Sequence, residues 1–255
     1  VKDLFSVDGK VALVTGGTRG IGRMMARGLV SHGAKVYVAS RKAEACESTA
    51  KELSQLGTCI GIPASLDTEA GCNALAHEIA EREPALHVLV NNAGANWGAP
   101  IAEYPDAAWD KVLALNVKGV FHLTRALQGR LEAASREDDP ARVINVGSID
   151  GIQVPAMETY AYSASKAAVH HLTRTLARRL APKVTVNAVA PGPFESKMMA
   201  ATLEAFHDAI VASCPLGRIG TPEDMAGIAV YLSSRAGAYL TGAVIPVDGG
   251  IATCK

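Results

Sequence analysis

The chain has 255 residues, with 25 lysines and arginines against 25 aspartates and glutamates, 49% hydrophobic and 20% charged residues. That length and apolar content suit one sizeable core, and the neutral balance gives no electrostatic footprint for nucleic acid or an anionic membrane surface. No run reaches the length of a membrane span, and Val1 to Phe5 lacks the apolar region of a leader. The five cysteines form no Cys-x-x-Cys pair, so the reading is of reduced thiols in a cytoplasmic protein with no metal site.

The elements follow from hydrophobic periodicity. Lys10 to Thr15 is a short apolar, β-branched run and predicts a buried strand. A glycine cluster, Gly16 to Gly22, and a helical pattern to His32 follow. Strand Lys35 to Ala39, a helix from about Ala43 to Leu56, strand Thr58 to Pro63 and a helix from about Thr68 to Glu83 come next. Leu86 to Val90 predicts a fourth strand, Asp106 to Arg136 a long helical region, and Arg142 to Val146 a fifth strand. The run Thr159 to Leu180 reads as a helix, Val184 to Val189 as a strand, Thr221 to Ser233 as a helix and Ala243 to Val247 as a seventh strand. Strands alternating with helices predict an α/β fold: a single Rossmann-type domain over residues 1–255, with a doubly wound parallel sheet of about seven strands and helices on both faces. The Pro/Gly-rich segment after Ala190 has no clear period.

Strand, glycine cluster, helix is a dinucleotide-binding arrangement. Glycines allow a tight turn and close phosphate approach, and the helix N-terminus offers unpaired N–H groups. The spacing here is Gly16-x-x-x-Gly20-x-Gly22. An acidic residue about 20 positions past the glycines would take the ribose hydroxyls of NAD. The second strand ends instead in Ser40-Arg41, and Arg19 lies in the glycine turn. Two arginines suit a 2′-phosphate, which favours NADP (NADPH).

In the Thr159 to Leu180 helix, Tyr162 and Lys166 are four residues apart and share a face. A nearby cation favours the phenolate, so the pair predicts a tyrosine whose pKa is lowered toward use as a general acid or base. Ser148, just beyond the fifth strand, stands at the strand end where ligands gather in such sheets.

The ordered set Thr15-Gly16-x-x-x-Gly20-x-Gly22, Asn91-Asn92-Ala93-Gly94, Asn116, Ser148, Tyr162-x-x-x-Lys166 and Pro191-Gly192 resembles the short-chain dehydrogenases/reductases over essentially the whole chain. Within them it is most similar to 3-oxoacyl (β-ketoacyl) thioester reductases. The resemblance implies that Tyr162 protonates the carbonyl oxygen during hydride delivery from NADPH, that Lys166 lowers the tyrosine pKa and holds the nicotinamide ribose, and that Ser148 hydrogen-bonds the substrate oxygen. It also implies that Asn116 kinks its helix and holds a water linking Lys166 to solvent. Cofactor contacts carried over in the same way are Gly16, Thr18, Arg19, Gly20, Ile21, Gly22, Ser40, Arg41, Leu66, Asn92, Ala93, Gly94, Tyr162, Lys166, Pro191, Gly192, Phe194 and Ser196. Asn92 is expected to tie neighbouring strands. Two departures stand out: Ser65-Leu66 where an acidic then an aliphatic residue is usual, and Phe194 where a smaller aliphatic residue is usual. The resemblance further implies a homotetramer built on the Asp106 and Tyr162 helices and on Gly242 to Gly250.

Met199, Leu203, Phe206 and Ile210 fall on one helical stripe. They read either as a substrate lid over about residues 193–215, suited to an acyl chain, or as core or subunit packing. Trp97, Ile149, Gln153 and Met157 are further candidates for the pocket. An acidic acyl carrier protein would need a basic docking face. Arg174, Arg178, Arg179 and Lys183 are candidates for one, with Glu137 to Asp139 opposing it if nearby; coenzyme A remains the other carrier. His170-His171 reads as helix surface or subunit contact.

Overall fold

The computed structural model describes residues 3–196 and 199–254. Seven strands form one sheet: β1 (Val11–Thr15), β2 (Lys35–Ser40), β3 (Cys59–Pro63), β4 (Val88–Asn91), β5 (Ala141–Val146), β6 (Val184–Pro191) and β7 (Val244–Val247). Their order is β3-β2-β1-β4-β5-β6-β7, and every pairing is parallel.

The strands are largely apolar because most of them feed two cores. Val14, Val36, Val38, Val90 and Ile144 face one cluster, which holds Met25, Leu29, Met225 and Leu232. Their neighbours Leu13, Tyr37, Leu89 and Val143 face the other, with Ile62, Leu75, Ile79, Leu123, Leu127 and Leu131. The period-two alternation of strand side chains divides one run between two buried faces.

The first layer contains α1 (Gly20–Ser31) and α8 (Pro222–Ser233). These helices touch closely at Gly28, where a Cβ would stand 2.6 Å from the Ala226 Cβ. The second layer holds α3 (Glu69–Arg82), α4 (Asp106–Leu113), α5 (Val120–Ala134) and α6 (Tyr160–Leu180). Helix α2 (Ala43–Leu53) packs on β2 and β3, and α7 (Ala200–Ser213) fills the region after β6.

The sequence reading places these elements within a few residues. The expected helix Asp106 to Arg136 is interrupted, however, by a π-helical turn over Ala114–Gly119 that joins α4 to α5. Helix α7 lies where the apolar stripe was read, but it kinks at Phe206 (φ −135°, ψ 19°). Phe206 is 60% exposed, and none of the described side chains of α7 is fully buried, so this stripe is not core packing within the chain. Residues 197 and 198 of the expected lid lie outside the described residues.

Candidate active site

Strand order reverses between β1 and β4, and the crevice beyond their C-terminal ends is where open α/β sheets bind ligands. Thr15 organises this corner. Its Oγ1 donates to the Val90 carbonyl (3.2 Å) and accepts from the backbone N–H groups of Asn92 (3.0 Å) and Ala93 (3.1 Å). Asn92 returns the tie through Nδ2, which donates to the carbonyls of Thr15 (2.9 Å) and Gly16 (3.1 Å).

The glycine turn is built for close approach. Gly16 and Gly20 have φ values of 61° and 51°, a region that L side chains avoid. A Cβ at Gly22 would sit 2.3 Å from Asn92 Nδ2. Thr18, Arg19 and Ile21 complete the turn into the N-terminus of α1, where the first N–H groups lack helical partners. Arg19 is exposed there, and Arg41 is exposed just after Ser40 at the end of β2. Neither makes an ion pair among the described residues. A backbone cradle without side chains, flanked by two free guanidinium groups, fits a dinucleotide that carries an extra phosphate.

The reacting groups meet over β5 and α6. Lys166 Nζ donates to the Val146 carbonyl at 2.7 Å and lies 5.4 Å from the centre of the Tyr162 ring. Ser148 begins a short 3₁₀ turn, Ile149–Gly151, and its Oγ accepts from the Asp150 N–H at 3.1 Å. Burial pushes Tyr162 up to about 12, opposed by the hydrogen bond from Ser148 and reinforced by the Asp150 charge. Burial likewise pushes Lys166 down to about 8, with Asp150 pulling it up. The expected lowering of the tyrosine pKa by Lys166 is therefore reversed in sign here. Removing the phenolate from water outweighs a cation held over the ring face and bonded to a carbonyl. Burial also raises Asp150.

Asn116 sits in the π-turn and is 2% exposed. Its Nδ2 donates to the Ala95 carbonyl and to Ser165 Oγ, both at 2.9 Å, and its Oδ1 accepts from Ala95 N at 2.8 Å. Ser165 Oγ donates in turn to the Tyr162 carbonyl at 2.6 Å. The Asn116 side chain thus braces α6 and the segment after Gly94. It makes no direct bond to Lys166.

The remaining candidates divide. Pro191 ends β6, and Gly192 N donates to the Val247 carbonyl at 3.0 Å. The Ser196 Cβ lies 3.2 Å from where a Gly20 Cβ would be, so the base of the α7 segment meets the glycine turn. Phe194 and Leu66 do not present side chains to the crevice. Phe194 is 2% exposed and lies in the first core, its ring over Gly220. Leu66, 7% exposed, belongs to the second core. A large apolar side chain next to each core gains more from burial than from the open cleft, so only their backbones are left for a cofactor.

Residues 10–206 match the family described as short chain dehydrogenase. The chain belongs to that family. It is 48% identical over 250 residues to the rhamnolipids biosynthesis 3-oxoacyl-[acyl-carrier-protein] reductase of Pseudomonas aeruginosa, covering 96% of this chain and 97% of that one. It is 38% identical over 258 residues to galactitol 2-dehydrogenase of Rhizobium johnstonii, covering 98% and 97%. The solved Pseudomonas aeruginosa RhlG/NADP active-site complex superposes with a TM-score of 0.95 at 47% identity, covering 98% of this chain and 99% of that one.

Several groups of this short-chain dehydrogenase site escaped the sequence reading. Asp150 is a carboxylate near Lys166, and its place beside Ser148 was the only available signal. Tyr104 accepts from the Ala161 N–H and donates to the Trp97 carbonyl, both at 3.2 Å. It thereby caps α6, whose own N-cap residue Thr159 makes no side-chain cap. His170 was expected on a helix surface or in a subunit contact. It is instead 5% exposed and sits under the Ser148 turn, whereas His171 is exposed.

Proposed function

We propose that this chain reduces 3-oxoacyl thioesters to 3-hydroxyacyl thioesters with NADPH, in fatty-acid-derived lipid or rhamnolipid metabolism. The observation that carries this reading is the meeting of Ser148, Tyr162 and Lys166 at the strand ends beside the glycine turn. The near-complete overlap with a 3-oxoacyl-[acyl-carrier-protein] reductase supports the substrate class, and the relative solved with NADP supports the cofactor.

The cofactor supplies the hydride when bound; the protein supplies position and proton. Arg19 and Arg41 hold the 2′-phosphate, and the Gly16–Gly22 turn holds the diphosphate. Tyr162 stays protonated across the neutral range because burial disfavours its phenolate. That suits an acid that gives a proton to an oxygen gaining charge. Ser148 aims its hydroxyl at the same oxygen, and Lys166 places positive charge beside it, so both act where charge develops. Asn116 keeps α6 in register with the loop after Gly94.

The α7 segment covers the acyl chain. Thr202 Oγ1 reaches Met157 Sδ at 3.6 Å across the mouth, and exposed Phe206, Met157 and Trp97 offer apolar surface there. For the carrier, the acidic turn lies at the same end of the sheet as Lys183, whose carbonyl accepts from Ala141 N at 3.0 Å. Asp139 pairs with Lys10 and Arg142, and Asp138 with Arg235, so that acidic turn is engaged at the N-terminal end of the sheet. Lys183 lies near Glu132. Along α6, Arg174 stands about 18 Å and Arg178 about 24 Å from Tyr162 at 1.5 Å per residue. Of the basic group, Arg174 is thus the member nearest the mouth for an acidic carrier protein.

We place the protein in the cytoplasm on its cysteines. All five are free, and four of them are buried. Among the described residues no helix is long and apolar enough to cross a membrane, and no three potential metal ligands cluster. Exposed Phe121 on α5 and Tyr239 near Gly242 supply apolar surface for the two interfaces of a homotetramer.

The test is NADPH oxidation with 3-oxoacyl-coenzyme A and 3-oxoacyl-carrier substrates of several chain lengths, alongside keto-sugars and NADH. Chain-length-dependent turnover with NADPH is expected. Turnover of the keto-sugar alone would replace this reading with a polyol activity like that named for the Rhizobium relative.

A further inference from the structure

His170 is the buried ionisable group that the chemistry above leaves unused. Its Nε2 has no hydrogen-bond partner among the described residues, and burial beside Lys166 and Arg174 pushes the imidazole down to about 4. A buried polar atom without a partner costs stability and calls for a reason. The reason lies in what the ring touches.

The turn that carries Ser148 begins and ends in glycine. A Cβ on Gly147 would stand 2.2 Å from His170 Nε2 and 2.7 Å from Cδ2. A Cβ on Gly151 would stand 2.8 Å from His170 Cε1 and 2.7 Å from the Lys166 carbonyl carbon. The imidazole therefore fills a slot that exists only because both ends of the turn lack side chains. Gly147 N also donates to the Val189 carbonyl (2.7 Å) and Gly151 N to the Ser148 carbonyl (3.0 Å), while the Ser148 hydrogen bond to Tyr162 and a hydrogen bond between the Gly151 backbone and His170 join the turn to α6. His170 is one helical turn beyond Lys166 on α6, so one ring lies against the Ser148 turn from the helix that carries Tyr162 and Lys166.

We infer that His170 is a positioning residue: its ring, seated between Gly147 and Gly151, sets the height of the Ser148 turn over α6 and so the spacing of Ser148 from Tyr162. The inference rests on the proposed role of Ser148. It assigns the two glycines and the histidine to one fitted unit, in which a change of volume on either side moves a hydroxyl that must meet the substrate oxygen within hydrogen-bond reach. A misplacement of about 1 Å at such a group can cost about a hundredfold in rate.

The experiment is a double-mutant cycle on the full chain, with kcat, the KM for NADPH and the KM for the thioester read separately. His170→Ala should lower kcat by about tenfold to a hundredfold and leave the KM for NADPH within about twofold. Gly147→Ala should lower kcat further, because its methyl enters the ring. The same methyl should be accommodated once the ring is gone, so Gly147→Ala combined with His170→Ala should exceed Gly147→Ala alone in kcat, a non-additive result. If the alanine variant does not fold, His170→Asn, which keeps a planar polar group in the slot, carries the same comparison. A kcat for the histidine variant equal to that of the parent, or a double variant no better than Gly147→Ala, overturns the inference. Ser148→Ala serves as the separate control. Normal turnover there removes the reading of Ser148 itself, whereas its loss alongside a normal histidine variant removes the positioning role alone.

Discussion

Lys10 and Lys166 stand at opposite ends of the sheet, 8% and 6% exposed, and burial lowers the pKa of both. Their company differs. Lys10 Nζ meets the Asp139 carboxylate at 2.8 Å and the Ser233 carbonyl at 2.9 Å, and Asp139 also binds Arg142, which is 1% exposed. Lys166 has the Val146 carbonyl and, among the described residues, no carboxylate within ion-pair distance. At the N-terminal end one carboxylate is shared by two buried cations, and the cluster holds β1, β5 and the end of α8 together. At the C-terminal end only Asp150, outside ion-pair distance, acts on the cation, and its field remains available to an oxygen that gains charge. The same burial yields a strut in one place and a reagent in the other, and the partner makes the difference.

The largest expected effect comes from the reagent end. Tyr162→Phe should lower reduction by about a thousandfold, within the range for loss of a general acid, while NADPH binding, followed by fluorescence, is retained. Turnover at the parent rate would remove Tyr162 from the chemistry. The strut end should respond in the opposite manner. Asp139→Ala leaves two buried cations facing each other and should cost about 3–5 kcal/mol of unfolding free energy in denaturant, with kcat unchanged in the protein that remains folded. A stable variant with low kcat would couple the two ends and undo the contrast.

Arg41→Asp replaces a free exposed cation by an anion where the 2′-phosphate is expected. It should weaken NADPH by about 1.5–3 kcal/mol, the span for a charge-assisted hydrogen bond, and affect NADH far less. An unchanged preference in titrations with both nucleotides would leave Arg19 as the phosphate contact.

The pH dependence sharpens the account of Lys166. A lysine lowered to about 8 is charged below that pH and neutral above it. Assistance to the developing oxyanion therefore fades as pH rises through about 8, and kcat/KM for reduction should fall along one limb there. Tyr162, at about 12, remains the proton donor throughout that range and adds no second limb. Oxidation of the alcohol needs the phenolate instead and should speed up with pH. A reduction profile flat to pH 10 would show that the Lys166 charge is not used.

The two ends of the sheet also differ in how plainly the sequence announces them. Val14, Val38, Val90 and Ile144 advertise the sheet because continuous apolar runs between helical periods have few other uses, and Tyr162 with Lys166 is visible because a four-residue spacing forces a shared face. The sign of the tyrosine shift was not visible. It depends on how much water the folded chain removes, which no spacing encodes. The family resemblance implies cofactor contacts at Phe194 and Leu66, the two places where this chain departs from the usual pattern, yet core packing claims their side chains. His170 was misplaced for a related reason. Its seat is formed by Gly147 and Gly151, about 20 residues earlier, and absent side chains leave no periodic mark.

The smallest prediction tests whether the reagent end is held by remote supports. Helix α8 caps itself, with Thr221 and Asp224 bonding each other's backbones. Helix α6, which carries the reacting groups, has no such local cap and takes the Tyr104 hydroxyl from the segment before α4. The ring of Tyr104 is also wedged edge-on against Tyr160 and Trp109, at centroid distances of 5.2 and 6.2 Å. Tyr104→Phe keeps that wedge and removes only the hydroxyl, so two hydrogen bonds are lost without a cavity. Stability should fall by about 1 kcal/mol, and kcat by less than for His170→Ala, since the cap holds the helix end whereas His170 holds the turn itself. Because Trp97 is released from the same hydroxyl, the KM for long-chain thioesters should rise more than that for short ones. A variant with equal shifts at every chain length would confine Tyr104 to capping the helix and detach it from the wall of the cleft.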